Sequence, residues 1–470
     1  MASIRPLQSQ SCLDLYRDLN YFREMKHFDL LLKHCDALLY DTDLGRLKRE
    51  LVDIAVKDQK IVEISGSLNY TADTILNLKG LTVLPGAIDS QVHFREPGLT
   101  HKEDLDTGTQ AAILGGVTSV FEMPNTNPST STVDAFKEKL SLAANRANCN
   151  YAFFAGASHD NTEDLRTLEN LDHCAGIKVF LGASFGSLLV DDDSVFEKVM
   201  KNGARRLTIH SEDEARLKLR KNIALDAGHP RVHHLWRDEE SAMISTKKSV
   251  SLARKYNRKL HLLHISSSEE MEFLAQNKDI ATVEILPQFL TFSAPECYER
   301  LETLAQQNPP IRDKRHMEKL WQAVTNGTVD IIGSDHAPHT LAEKQLPYPQ
   351  SPSGFPGVQT LIPIMLNHVH EQRISIEKFV QLITENPRRI FKVRNKGRIE
   401  VGYDADFTVV DLKKEMTITN KWIASKCAYT PFDGMRVTGW PTHTILSGKV
   451  VMQDDRILIA HSGKAIEFDK

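Results

Sequence analysis

The sequence predicts an α/β fold: a (β/α)8 TIM-like barrel with a small β-rich module built from both chain ends. Three observations carry this expectation. Between about residues 80 and 340, short apolar runs alternate with helix-like segments, the pattern of parallel strands joined by crossover helices. The strand-like runs number eight, and eight parallel strands close a barrel. The runs near both chain ends, by contrast, are short and punctuated by turns and glycines.

In order, the barrel runs are "LTVLPGAID", "GVTSVFEMPN", "NYAFFAGAS", "AGIKVFLGA", "RLTIHSED", "KLHLLHISS", "TVEILPQF" and "VDIIGSDHAPH". Between them, "HKEDLDTGTQAAILGG", "TVDAFKEKLSLAANRA", "SVFEKVMKNG" and "SSEEMEFLAQN" read as helices, with Gly115-Gly116 as a stop before the second strand. At one end, "HFDLLLKHCDALLY", "LVDIAVKDQKIVEISGS" and "ADTILNLKGLTVLP" suit strands joined by turns. At the other, "KGRIEVGYDADFTVVDL", "MTITN" and "PTHTILSGKVVMQDD" do the same. The expected organisation is an N-terminal arm over 1–26, a module from 27–85 and 395–460, and a barrel over 86–394.

Composition narrows the function classes. With 470 residues, 41% hydrophobic and 26% charged, the chain is an ordinary globular protein. A net charge of -4 and no basic stripe argue against nucleic-acid binding. No apolar run approaches a membrane span, and the first residues lack the order of a secretory signal, so a cytoplasmic location is expected. The six cysteines are scattered, without a C-x-x-C pair, and fit neither a zinc ribbon nor a disulfide framework.

The chemistry should gather at the C-terminal ends of the barrel strands. Those ends carry His93 and Arg95, Asn125, Lys178, His210, His264, and Asp335 followed by His336 and His339. A lone strand-end histidine is more often a hydrogen-bonded structural residue. Several imidazoles and a carboxylate at one barrel mouth are instead the donor set of zinc or a similar divalent ion. Lys178 lies inside the apolar run "GIKVFLG", where burial lowers an amine's pKa. A neutral amine can react with CO2 to give an anionic carbamate ligand, though spacing alone does not demand it.

The motifs "PGAIDSQVHFREPGLTHKEDL", "FEMPNTNP", "GIKVFLG", "HSEDE", "HLLHIS", "NPPIR", "GSDHAPH", "NPRRIF" and "GRIEVGYDADFTVVDL" occur in this order. Together they resemble the dihydroorotases of the amidohydrolase superfamily over about residues 28–455. The resemblance implies a metal-bearing barrel with a small β-sandwich from the two chain ends. It implies reversible interconversion of (S)-dihydroorotate and N-carbamoyl-L-aspartate in de novo pyrimidine synthesis, with metal-activated water and Asp335 as general base. It assigns one metal to His93, carboxylated Lys178 and Asp335, and another to Lys178, His210 and His264. One or two Zn2+ per subunit, with a bridging Lys178 carbamate, would follow. Arg95, Asn125, Asn308, His339 and Gly354, the last in "SPSGFPG", match substrate-binding positions. A homodimer and association with aspartate carbamoyltransferase are further family-level expectations.

Two residues depart from the family pattern. Typical members have histidine where this chain has Gln91, so the site served by His93 and Asp335 is expected to be weakened or empty. Gln288 stands in "LPQFL" where many relatives read proline-histidine-histidine, and an exposed polar residue is expected there. Two alternatives accompany the main reading. Allantoinases and hydantoinases share the barrel, the lysine and the metal histidines, but their substrates lack the ring carboxylate that Arg95 and Asn125 would bind. A non-catalytic scaffold with an impaired metal site is the other alternative, motivated by Gln91 alone.

Overall fold

The computed structural model describes residues 27–182 and 188–469; the arm expected over 1–26, with Cys12, lies outside the described residues. The described part opens with strands β1 (His27–Asp41), β2 (Arg46–Lys57), β3 (Lys60–Ser65), β4 (Thr71–Asn77) and β5 (Thr82–Pro85). Eight strands follow: β6 (Ala87–Val92), β7 (Val117–Glu122), β8 (Asn150–Gly156), β9 (Cys174–Phe180), β10 (Leu207–His210), β11 (Leu260–Leu262), β12 (Ala281–Ile285) and β13 (Ile331–Ile332). The chain then returns through β14 (Phe407–Thr417), β15 (Arg436–Leu446), β16 (Lys449–Gln453) and β17 (Arg456–Ile457).

All eight expected barrel strands form, and they lie side by side in chain order as one parallel sheet. A parallel bridge from Val92 to His336 brings the two edges together, with the His93 N–H donating to the His336 carbonyl at 2.7 Å. Every residue of β6 to β9 is buried, because helices cover the outer face and side chains fill the barrel. The helices begin where the sequence offers a cap. Asp104, Thr132 and Ser267 each accept a first-turn N–H at the starts of Leu105–Leu114, Val133–Ala143 and Ser268–Ala275.

The strands from the two chain ends make a second sheet, in the order β17-β16-β15-β14-β5-β1-β2-β3 with β4 on β1. Period-two alternation sends Leu30 and Leu32 into a core with Val52, Ile54, Phe407 and Val409. Leu31 faces the other way, in a small cluster with Phe28, Ala55 and Leu68. One expectation needs correction in detail: "LTVLPGAID" is two strands, not one. Thr82–Pro85 pairs antiparallel with β14, and Ala87–Val92 starts the barrel. Pro85 has no N–H to continue the ladder, and a Cβ on Gly86 would sit 2.5 Å from Thr118 Oγ1. The tail beyond residue 460 reaches the barrel, where Ala465 bridges Tyr151 and Phe468 packs edge-on against Phe121. Among the described residues, no helix is long and apolar enough to cross a membrane.

Candidate active site

The strand ends converge on one cavity of about 150 Å3, lined by His93, Arg95, Asn125, Lys178, His210, His264, Asn308, Asp335, His339 and Gly354, with Gln91 beside them. All the site residues expected from the sequence are thus brought together. Of the larger clefts, those of about 450 and 440 Å3 beside residues 169–175 and 467–469 hold none of these strand-end donors, and one of about 750 Å3 shares only Asn125. Arg95, His264 and Asp335 all have positive φ, at 65°, 40° and 48°. Side chains rarely accept that conformation, and such strain concentrates at functional sites.

The mouth divides into two halves. In the first, His210 Nδ1 faces His264 Nε2 at 3.0 Å. His210 Nε2 lies 2.9 Å from a carboxylate oxygen of Glu212, so it carries the proton and leaves the lone pair on Nδ1. Burial works against the charge on Glu212, but Arg237 and His210 outweigh it and hold the carboxyl down to about 2. Burial lowers the pKa of both His210 and His264, keeping the imidazoles neutral. Lys178 is fully buried, and its Nζ has no hydrogen-bond partner. Burial pushes its amine down to about 7, against the pull of Asp335 and Glu284.

This half fits a divalent cation. Two neutral imidazole nitrogens converge beside an orphaned amine whose neutral form, the one that reacts with CO2, is populated near neutral pH. Among the described residues, no three His, Cys, Asp or Glu side chains are grouped to hold a metal. Beside the two imidazoles stands a lysine, and an amine of this kind could serve as an anionic donor only as its carbamate.

In the second half, Asp335 is already answered by its neighbours. Gln91 Nε2 donates to Asp335 Oδ1 at 3.0 Å, and His93 Nε2 lies 3.2 Å from the same oxygen. His93 Nδ1 contacts Asn125 Oδ1 at 2.6 Å, which turns the Asn125 amide donors away from His93. Gln91 Oε1 is buried without a partner. An amide here supplies a hydrogen bond to the carboxylate where an imidazole would supply a metal ligand.

Above both halves stands a cluster of donors. Arg95 is buried, and among the described residues no carboxylate pairs with it; its Nε donates to the Pro338 carbonyl at 3.2 Å. Lys102 Nζ lies 3.2 Å from His339 Nδ1, and His339 Nε2 lies 3.1 Å from the Ser353 carbonyl and 3.3 Å from a terminal nitrogen of Arg95. His339 is held neutral, its pKa lowered by burial and then by the charges of Arg95 and Lys102. Gly354 is at φ 125°, and a Cβ there would meet the Ala337 carbonyl at 2.4 Å. Its N–H is committed to the Gln306 carbonyl at 2.8 Å, so it lines the cavity without offering that donor.

Sequence reasoning missed several supporting residues. Glu212 lies in "HSEDE", where nothing local marks it as the partner of His210. Lys344, fully buried, donates to the carbonyls of Gln306 and Pro352 at 3.0 and 2.8 Å, tying together the loops that carry Asn308 and Gly354. Gln288 corrects an expectation: it is buried, not exposed, and donates to Gln307 Oε1 and the Ser334 carbonyl at 3.0 and 3.2 Å. Its donors meet acceptors on loops that only the closed barrel brings near.

A strand-end cluster of imidazoles, a carboxylate and a buried lysine on a (β/α)8 barrel suits a hydrolase that works through a bound cation. Residues 82–451 match the amidohydrolase family. A dihydroorotase from Methanosphaera stadtmanae is 32% identical, over 91% of this chain and 97% of that protein. A multifunctional protein, CAD, of Squalus acanthias is 32% identical over 80% of this chain, which spans 15% of that protein. Among solved structures, the L-hydantoinase (dihydropyrimidinase) from Arthrobacter aurescens aligns with a TM-score of 0.88 and 26% identity, over 94% of this chain and 100% of that one. The chain belongs to the amidohydrolase family, in its dihydroorotase branch.

Proposed function

We propose that the protein is a dihydroorotase, hydrolysing and re-forming the ring amide between (S)-dihydroorotate and N-carbamoyl-L-aspartate. The observation that carries this reading is Arg95, a buried guanidinium facing the cavity with no carboxylate partner among the described residues. Leaving such a cation unpaired is costly, so its partner is expected to arrive with the substrate. A ring carboxylate answers that need, with bidentate geometry. The free amide donors of Asn125 suit the same group. A hydantoinase-type substrate without a ring carboxylate would leave Arg95 unpaired.

In this reading His210, His264 and carboxylated Lys178 would hold a divalent cation, zinc being the first candidate. Bound there, such an ion supplies Lewis acidity that activates water near neutral pH and polarises a carbonyl. Asp335 takes the proton from the attacking water and delivers it to the ring nitrogen as the carbon–nitrogen bond breaks. In the biosynthetic direction it removes that proton from the nitrogen as the ring closes. Gln91 holds the carboxylate in place for both steps. Arg95 and Asn125 grip the substrate carboxylate, and Asn308 and His339 fix the rest of the ring. A cytoplasmic homodimer, with association to aspartate carbamoyltransferase, completes the proposal; light scattering and co-purification test the two assembly claims.

The decisive experiment measures turnover of dihydroorotate by purified, zinc-supplemented protein and by Arg95→Met. The wild type should turn over. Arg95→Met should raise KM roughly 100-fold while the fold survives. Absence of turnover together with absence of bound metal would leave the scaffold alternative standing. A near-normal KM in the variant would remove Arg95 from its assigned role.

A further inference from the structure

We infer that His233 is a positioning residue for this reaction: with Tyr348 behind it, its ring locks the Asn308 amide so that the NH2 group faces the substrate. His233 lies on the short helix His233–Trp236, between β10 and β11, and is fully buried. Its Nε2 is 3.0 Å from the Gln307 carbonyl oxygen and 3.0 Å from Asn308 Oδ1. The carbonyl can only accept, so Nε2 carries the proton and donates. Facing that N–H, the Asn308 amide presents its oxygen. The His233 Nδ1 is 3.1 Å from the Tyr348 hydroxyl, which therefore donates to it. Both ring nitrogens are used, and only one neutral tautomer satisfies both contacts.

The surroundings keep the ring in that state. Trp236, Tyr298 and Tyr348 stand edge-on to it, with ring centroids 5.7, 6.1 and 5.7 Å away. Burial, helped by the nearby Arg237 charge, pushes its pKa down to about 3, so it stays neutral.

The consequence falls on Asn308, which lines the cavity. An asparagine amide can present either oxygen or NH2 to a ligand, and two nearly isosteric orientations compete unless something decides between them. Here the Nε2–H of His233 holds the oxygen side, leaving the two N–H donors for the substrate. A dihydroorotate ring offers carbonyl oxygens and a carboxylate, all acceptors. The flipped amide would set oxygen against oxygen. His233 thus acts on recognition through Asn308 without touching the substrate. The inference rests on the dihydroorotase reading, in which Asn308 meets the substrate.

The test uses the full-length, zinc-loaded protein and dihydroorotate, with Asn308→Ala, His233→Phe, the double variant, His233→Gln and Tyr348→Phe. His233→Phe should raise KM about tenfold while kcat changes less than about threefold. In the Asn308→Ala background, His233→Phe should add nothing further, because the group it positions is gone. His233→Gln, which keeps an N–H donor, should recover most of the lost affinity. Tyr348→Phe should raise KM about threefold, and it carries the test if His233→Phe does not fold. Effects that multiply in the double variant, or an unchanged KM in both His233→Phe and Tyr348→Phe, would overturn the inference alone. A wild-type KM in Asn308→Ala would overturn it together with the role of Asn308. A wild type without turnover would overturn the activity itself and the inference with it.

Discussion

The two halves of the barrel mouth are built from similar residues but are satisfied differently. On the β9–β11 side, Lys178 Nζ and His264 Nδ1 have no hydrogen-bond partner, and two neutral imidazole nitrogens face each other. On the β6 side, His93, Gln91 and Asp335 answer one another through contacts of 3.0 and 3.2 Å. Buried polar groups are normally paired, so an orphaned amine and an orphaned imidazole nitrogen in one cavity mark a place for something from outside. A carboxylate already receiving an amide N–H is better arranged to hold and move a proton. One side is poised for a cation, and the other for a proton. Gln91 marks the difference, because its amide gives Asp335 a hydrogen bond that no group gives Lys178.

The strongest way to break this comparison is Lys178→Ala. It should strip the first half of its anionic ligand, lowering bound metal to background and turnover by about 1000-fold or more. Metal analysis alongside kinetics checks this, and retained stoichiometric metal would remove Lys178 from the site. Asp335→Asn should lower kcat by about 1000-fold while metal content and the thermal transition stay close to wild type. Loss of metal in that variant would show that the two halves share their ligand after all. Gln91→His should change composition more than rate: metal content should rise by about one equivalent per chain. An unchanged content would mean that Gln91 does not set the metal count.

The smallest expected effect lies outside both halves, and it shows how a buried histidine behaves when it is structural. Burial, reinforced by Arg206, holds His261 down to about 3 from an ordinary 6.5. Its Nδ1 lies 2.9 Å from Thr282 Oγ1, deep in the barrel. The unfolded chain protonates this group near 6.5 while the folded chain refuses the proton until about 3, so acid favours unfolding across that window. Stability contributed by the neutral ring is present above 6.5 and lost as pH falls. At pH 5 the loss amounts to about 2 kcal/mol. Denaturant unfolding at pH 7 and pH 5 should show that His261→Gln loses correspondingly less than wild type. Equal losses would place the titration elsewhere.

Much of this protein is legible in its sequence because the relevant signals are local. Each strand-like run ends in a turn that carries its own polar residue, so the sequence alone places His93, Lys178, His210, His264 and Asp335 at or near strand ends. A (β/α)8 barrel then gathers those ends at one face by topology alone. Pro85-Gly86 reads as the middle of a single run, because the partners that separate it into two strands, β14 and β7, lie far along the chain. Gln288 reads as exposed for a similar reason: its acceptors, Gln307 and Ser334, belong to other loops.

The sequence by itself therefore determined the architecture, the family and the cast of the site. Tertiary structure alone decided the pairings and proton positions within it. Gln91 meets Asp335 across 244 residues, His210 meets His264 across 54, and His233 meets Asn308 across 75. The physical reason is the range of the interactions. Strand and helix patterning acts over a few residues, whereas a hydrogen bond needs its donor and acceptor within about 3 Å. Only the closed barrel sets that distance for groups so far apart in the chain.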